Sequence, residues 1–234
     1  GGGLDLINEF VAASNVRVIP SGNTGAQMGG WYRKEIKSLE DLKGLKLRIA
    51  GLGGAILQRL GVVPQQIAGG DIYAALERGT IDAAEFSGPF DDEKLGFQRV
   101  APHYYYPGWW EGTANVGLYI NLDAWNALPA HYKAALETVC TEALTHCVAK
   151  YDNGNPEALM RLIAAGAQVQ AFPDDVLAAA FAESRKLYAE YAASNENFRR
   201  IYDHWSAYWT RQQQWLRVAE LPYDYFTSAQ AAAG

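Results

Sequence analysis

The stretch LKGLKLRIAGLGGAILQRLGVVPQQIAGGDIYAALERGTIDAAEFSGP, residues 42–89, decides the fold. Short apolar runs at 45–49, 62–67 and 81–86 have the length and composition of strands, and helix starts separate them. This βαβαβ rhythm predicts an α/β fold with a parallel sheet. It also puts Arg48 and Glu85 at the ends of two different strands. In open sheets of this kind, ligands collect in the crevice beyond the carboxyl ends of the strands. A guanidinium there suits a carboxylate, and a buried glutamate beside it invites a cation. The residues point to a binder of small carboxylic acids.

Each residue alone has a plainer reading. An arginine at a strand end commonly makes a surface ion pair, and Glu85 would then be an ordinary strand-end carboxylate. Their joint placement with the polar loop PSGNTGAQMGGW, residues 20–31, favours a site around Gln27. Its glycines let backbone approach a ligand closely.

Upstream, residues 4–13 have a helical pattern and 16–19 form a short strand. The glycines at 51–54 turn the chain into a helix at 55–60. Asp71 is placed as N-cap of IYAALERG, with Gly79 as its C-terminal stop. After the turn Ser87-Gly88-Pro89, Asp91 and Asp92 read as solvated residues that favour a further short helix through its dipole. The aromatic segment YYYPGWWEG, residues 104–112, leads into an extended run at 113–121. Pro129 then opens a helix to about residue 152, and Pro156 opens a second to 165. A short strand at 167–172 precedes long helices at 174–193 and 198–218.

Composition narrows the function classes. With 234 residues the chain has room for one large domain or two small lobes with real cores. A net charge of -6 leaves no basic surface to track phosphates, which excludes nucleic acid as a partner. No apolar run reaches the roughly 18 residues of a transmembrane helix. The chain has seven Trp and fourteen Tyr, many of them at 104–110 and 202–215, a pattern of large core contacts or of a ligand platform. Cys140 and Cys147 are seven residues apart on one helix, roughly 10.5 Å, beyond the disulfide reach of about 7 Å. They read as buried free thiols. The chain opens on Gly1-Gly2-Gly3 and runs straight into a helical pattern, as a mature chain whose beginning is missing would.

Other chemistries find less support. The turn Gly51-Leu52-Gly53-Gly54 lacks the dinucleotide-binding spacing, and there is no Gly-Lys-Ser/Thr phosphate loop. His103, His131, His146 and His204 are scattered without metal-ligand spacing, and no serine-nucleophile elbow occurs. Glu85 and Glu111 both lie beside aromatics, which keeps a carboxylate-dependent hydrolase open as an alternative.

The loop Gly22-Asn23-Thr24-Gly25-Ala26-Gln27-Met28-Gly29-Gly30-Trp31, LKGLKLRIAG with Arg48, VVPQQIAGGDIYAALERGTIDAAE, GPFDDEKLG and YYYPGWWEG together resemble a known family. It is that of the periplasmic solute-binding subunits of TRAP (tripartite ATP-independent periplasmic) transporters. The resemblance covers nearly the whole chain and is strongest to the branch that binds 2-oxo monocarboxylates and 2-hydroxy acids with a metal ion. It implies that Arg48 forms a two-pronged salt bridge to the substrate carboxylate. It implies that Gln27 and Glu85 give side-chain oxygens, and Phe86 its backbone carbonyl, to sodium or calcium. Gln27 and Phe86 would also border the substrate, with Glu111 at the site edge. Related members carry Trp where this chain has Phe86, which leaves a backbone ligand intact and changes the wall. An acid of six heavy atoms is limited to about 9 kcal/mol of binding, around micromolar affinity. Arg48 supplies roughly 1.5–3 kcal/mol per charge-assisted bond, so a bridging cation is a reasonable supplement.

The implied fold has two α/β lobes joined by crossing strands, a periplasmic binding protein of type II-like form with long C-terminal helices. Residues 27–112 would be the lobe bearing the ligand site. Residues 1–26 and 113–150 would be crossing strands with a remnant of the other lobe, whose N-terminal part is expected to be missing. Residues 151–234 would supply the last strand and the packing helices. The partners implied are a small carboxylic acid and the membrane permease subunits, the location is periplasmic, and no catalysis is expected. A sensory module of the same fold is the alternative. The aromatic stretch 202–215 suits either a second copy, in a homodimer, or packing within one chain.

Overall fold

Gly30–Tyr32 (β2) is only three residues long, yet all three are buried, so both faces of the strand must be covered. The structure, a computed structural model, describes residues 1–231. Strand β2 is the fourth of six in the order β4-β3-β5-β2-β6-β8, where the others are Lys46–Arg48 (β3), Val63–Gln65 (β4), Ala83–Ala84 (β5), His103–Tyr106 (β6) and Gln168–Ala171 (β8). The pairs β3–β4, β3–β5 and β6–β8 are parallel, as the βαβ rhythm requires. Strand β2 is antiparallel to both β5 and β6. The sheet is therefore mixed rather than parallel, because a three-residue strand from the Gln27 loop is inserted against the run of the rest.

Side chains of a strand alternate between faces, and the core divides accordingly. Trp31, Ala84 and Tyr104 pack on one face with Ile72 and Leu76 of Ile72–Glu77 (α3) and Leu162 of Ala130–Ala164 (α6). Tyr32, Ala83 and Tyr105 pack on the other with Leu57 of Gly51–Arg59 (α2) and Val176 of Asp174–Ser194 (α7). The aromatic pairs run across strands: Trp31 stacks on Tyr104 with centroids 3.8 Å apart, and Tyr105 stacks on Phe172 at 4.9 Å. At Gly30 a Cβ would lie 2.6 Å from the Ala84 carbonyl oxygen, and φ is +94°, so only glycine fits there.

The chain forms two compact units. The larger, Arg17–Leu187, holds this sheet and a two-stranded pair of Val16–Asn23 (β1) with Asn115–Asn121 (β7). The smaller comprises Gly1–Val16 and the described residues from Tyr188 onward. In it Gly3–Ala12 (α1) packs on Glu196–Ala219 (α8), where Arg200 pairs with Glu9 through two hydrogen bonds of 2.9 and 3.0 Å. Helix α8 also contacts Leu221–Ala231 (α9).

Besides the parallel sheet, other expectations need correction. Residues 129–152 and 156–165 are not two helices: α6 runs through Pro156 without a break. Pro156 has no N–H for the Asp152 carbonyl, an interior loss of about 3 kcal/mol. Packing on Pro89–Leu95 (α4) holds the stretch. Tyr151 donates to Asp91 Oδ2 at 2.6 Å, Asn155 Oδ1 accepts the Phe90 N–H at 3.0 Å, and Arg161 grips Glu93 with bonds of 2.7 and 2.8 Å. Asp92 is not solvated; it is 1% exposed and accepts from Trp31 Nε1 at 2.9 Å and the Tyr104 hydroxyl at 2.7 Å. Asp71 occupies the N-cap position of α3, but its side chain makes no capping bond. Cys140 and Cys147 are free on one helix, the first buried and the second half-buried. No helix of the described residues is long and apolar enough to cross a membrane.

Candidate functional site

Strands β3 and β5 are parallel neighbours, so their last residues meet at one edge, and the Glu85 N–H donates to the Arg48 carbonyl at 3.0 Å. Strand β2 runs the other way, which brings the residues before it to that same edge. There the Met28 N–H donates to the Ser87 carbonyl at 3.0 Å, laying the Gln27 loop beside the segment after Glu85. Strand β6 ends here too, and the Gly108 N–H donates to the Gln27 carbonyl at 3.1 Å. A Cβ on Gly108 would be 2.9 Å from the carbonyl oxygens of Gln27 and Met28, so glycine permits this approach. Sheet topology thus gathers Gln27, Arg48, Glu85, Phe86 and the segment leading to Glu111 along one sheet edge, the place where α/β sheets bind ligands.

Arg48 is anchored on two sides. Its Nε donates to the Ile67 carbonyl at 3.2 Å, and its Nη1 donates to the Glu85 carbonyl at 2.6 Å and to Glu85 Oε2 at 3.1 Å. The Phe86 ring lies beneath the guanidinium, 5.7 Å from its carbon. Among the described residues its Nη2 makes no hydrogen bond or ion pair with the protein. The Phe86 ring is itself held edge-on against Phe97, and Gly69 stands against it closely enough that a Cβ there would be 3.1 Å away.

Glu85 is 7% exposed, and loss of water pushes its carboxyl up to about 7. Arg48 pulls it down, while Glu111 and Asp92 add to the rise. Glu111 is raised by its own burial. Gln27 is 8% exposed; its Nε2 donates to the Thr24 hydroxyl at 3.1 Å, and its Oε1 is buried without a hydrogen-bond partner. An orphaned buried amide oxygen carries a desolvation cost of about 1–3 kcal/mol, which a cation would relieve.

These residues fit a hard cation. The available donors are an amide oxygen, one carboxylate and a backbone carbonyl, the set that sodium or calcium takes. No group of three His, Cys, Asp or Glu side chains suited to a metal occurs among the described residues, so a zinc-type cage has no basis. The four histidines lie apart from this edge in the sequence, and His103 pairs instead with Gln170 at 3.0 Å. Sequence reasoning did not find Thr24, whose hydroxyl holds Gln27, nor the Ile67 carbonyl that orients Arg48. The Asn-Thr-Gly turn three residues ahead of Gln27 was the available signal for the first.

The fold and edge define an α/β protein whose site suits a small anion beside a hard cation. The chain belongs to the bacterial extracellular solute-binding protein family 7 (DctP), which it matches over residues 3–195. It is 47% identical over 229 residues to the monocarboxylate 2-oxoacid-binding periplasmic protein of Nostoc sp. PCC 7120, a match covering 98% of this chain and 63% of that protein. The crystal structure of a TRAP transporter solute-binding protein from Bordetella bronchiseptica RB50 covers all of this chain at 51% identity and a TM-score of 0.96. That structure is a mixed-occupancy dimer with copurified calcium and picolinate in its bound site, and this chain covers 69% of it. The protein from Pseudoalteromonas atlantica T6c, solved with sodium and pyruvate, is 36% identical over 95% of this chain, with a TM-score of 0.91. The expected fold class and family are borne out. The chain spans 63% of the length of the Nostoc relative and 68–69% of these two solved proteins.

Proposed function

We propose that this chain captures a small 2-oxo or 2-hydroxy monocarboxylate, together with sodium or calcium, as the periplasmic solute-binding part of a TRAP transporter. Arg48 offers its Nη2, and the fork around it, to the acid's carboxylate. Gln27 Oε1, a Glu85 carboxylate oxygen and the Phe86 carbonyl hold the cation, and Glu111 borders both. When bound, the cation supplies positive charge to the carboxylate and the 2-oxo oxygen of the acid. Residues 27–112 serve as the ligand-bearing lobe, 1–26 and 113–150 supply the crossing strands, and 151–231 the last strand and the long helices, the rest of that span to 234 lying outside the described residues. No bond of the acid is made or broken; the acid passes to the membrane permease subunits.

The observation that carries this reading is the juxtaposition of a half-engaged arginine with a buried glutamate and a buried amide oxygen that has no hydrogen-bond partner. The ligands held by the Bordetella and Pseudoalteromonas proteins support it. A homodimer is proposed on the same footing, supported by the exposed aromatics Trp205, Tyr208 and Trp215 of α8 and by the Bordetella dimer.

The test compares pyruvate with propionate, which lacks the 2-oxo oxygen, by titration calorimetry in calcium. Pyruvate should bind at about micromolar level and propionate at least tenfold more weakly, about 1.4 kcal/mol. Equal affinities would remove the role given to the 2-oxo oxygen and the cation.

A further inference from the structure

Thr24 is buried at the end of β1, and its hydroxyl is shared. The oxygen accepts the Gln27 Nε2–H at 3.1 Å and the Ala114 backbone N–H at 3.1 Å. The Thr24 N–H in turn donates to the Ala114 carbonyl at 3.1 Å. Asn23 fastens the same crossing: its Oδ1 accepts from the Gly25 N–H at 2.8 Å and from the Thr113 hydroxyl, and its Nδ2 donates to Asn115 Oδ1 at 3.0 Å. Residues 113–115 lead into β7, so the Thr24 oxygen is fixed by the strand pair and not by the Gln27 loop alone.

A glutamine amide presents an acceptor at one end and donors at the other. A threonine hydroxyl, donor and acceptor both, can hold either end, so its part is to fix where the amide sits, and a cation opposite it favours the arrangement seen. Here Nε2 is held by the Thr24 oxygen, which leaves Oε1 as the end without a partner. Turned end for end, the amide would point an NH₂ at the same space and repel a cation.

We infer that Thr24 is a positioning residue: its hydroxyl, fixed by Ala114 at the β1–β7 crossing, holds the Gln27 amide with Oε1 toward the cation. This rests on the cation reading of the site given above. It makes cation affinity depend on a residue that touches neither cation nor acid. It also ties that affinity to the pairing of the two crossing strands, because one oxygen serves both.

The experiment is calcium titration of the whole 234-residue chain in four forms: wild type, Thr24→Val, Thr24→Ser and Gln27→Ala, with the double variant Thr24→Val/Gln27→Ala added. Thr24→Val should weaken calcium by about 10–100-fold, the usual effect of losing a partner behind a metal ligand. Thr24→Ser keeps the acceptor and should stay within about threefold of wild type, well inside that range. In the Gln27→Ala background Thr24→Val should add no further loss, since the amide through which it acts is gone. A full loss in that background would mean general damage to the loop and would overturn the assignment, as would an unchanged affinity in Thr24→Val. If Thr24→Val is not folded by circular dichroism, Thr24→Ala takes its place with the same expected results. A wild-type chain that binds no calcium would overturn the cation reading itself, and this assignment with it.

Discussion

Replacing Arg48 by alanine tests the anion half of the site. In the structure its Nε and Nη1 are committed to Ile67 and Glu85, so the acid depends on the remaining Nη2 and on the positive charge of the group. A charge-assisted bond from that nitrogen to a carboxylate contributes about 1.5–3 kcal/mol. Against a limit of about 9 kcal/mol for an acid of six heavy atoms, that is a sixth to a third of the total. Pyruvate affinity should therefore fall by at least about tenfold. A second effect follows at Glu85. Arg48 is what draws this carboxyl down towards its value of about 7, so Arg48→Ala moves it higher still. At neutral pH the carboxyl would then be protonated, and calcium binding should weaken as well and recover as pH rises. Arg48→Lys should fare little better, because one ammonium cannot serve Ile67, Glu85 and a two-oxygen ligand at once. Calorimetry with pyruvate and calcium, beside circular dichroism to show an intact fold, reads both effects. A folded Arg48→Ala variant binding pyruvate within tenfold of wild type, a change below about 1.4 kcal/mol, would refute the reasoning.

Other expectations follow from the packing. Burial pushes Asp92 and Glu85 up to about 7, so each holds its proton more tightly folded than unfolded. Their contribution to stability is complete below about pH 4 and lost as pH rises through about 7; Glu9 and Glu93, which are lowered, contribute throughout the range above the ordinary carboxylate value and lose that contribution only as pH falls below it. Urea unfolding of calcium-free protein should show lower stability at pH 8 than at pH 5.5, and Asp92→Asn should reduce that difference; an unchanged difference would count against a buried, proton-holding Asp92. Gly30→Ala should prevent folding or cost at least about 3 kcal/mol, since φ is +94° and the new Cβ meets the Ala84 carbonyl; a Tm within a few degrees of wild type would contradict that packing. Pro156→Ala restores an N–H for the Asp152 carbonyl inside α6 and should raise stability by about 1–2 kcal/mol after the entropy of a freer unfolded chain is subtracted. A lower midpoint in urea would show that the proline is needed for the packing of α6 on α4.

Much of this site was legible in the chain because strand ends are legible. The alternation of apolar runs and helix starts fixed where Arg48 and Glu85 would stand, and β3 and β5 stand there side by side. Strand β6 was not legible: Tyr104, Tyr105 and Tyr106 are alike, so the period of two that separates Tyr104 from Tyr105 is hidden in uniform aromatics. Strand β2 is too short for any period, and its antiparallel entry is set by contacts with β5 and β6 that lie far along the chain. The local chemistry of Pro156 is that of a helix start, whereas the surface of α4 decides its place. Asp92 looks solvated from its neighbours for a similar reason, since its partners Trp31 and Tyr104 are distant in sequence. The orphaned Gln27 oxygen is a property of three-dimensional packing, visible only once Thr24 and Ala114 are in place.

The most direct measurement is the pyruvate affinity of the wild-type chain by calorimetry, once with calcium and once in chelator and sodium-free buffer. With an acid held jointly by Arg48 and a cation on Gln27, Glu85 and Phe86, affinity in calcium should be about micromolar and should drop at least tenfold without either ion. Identical affinity in the two buffers would contradict the joint site.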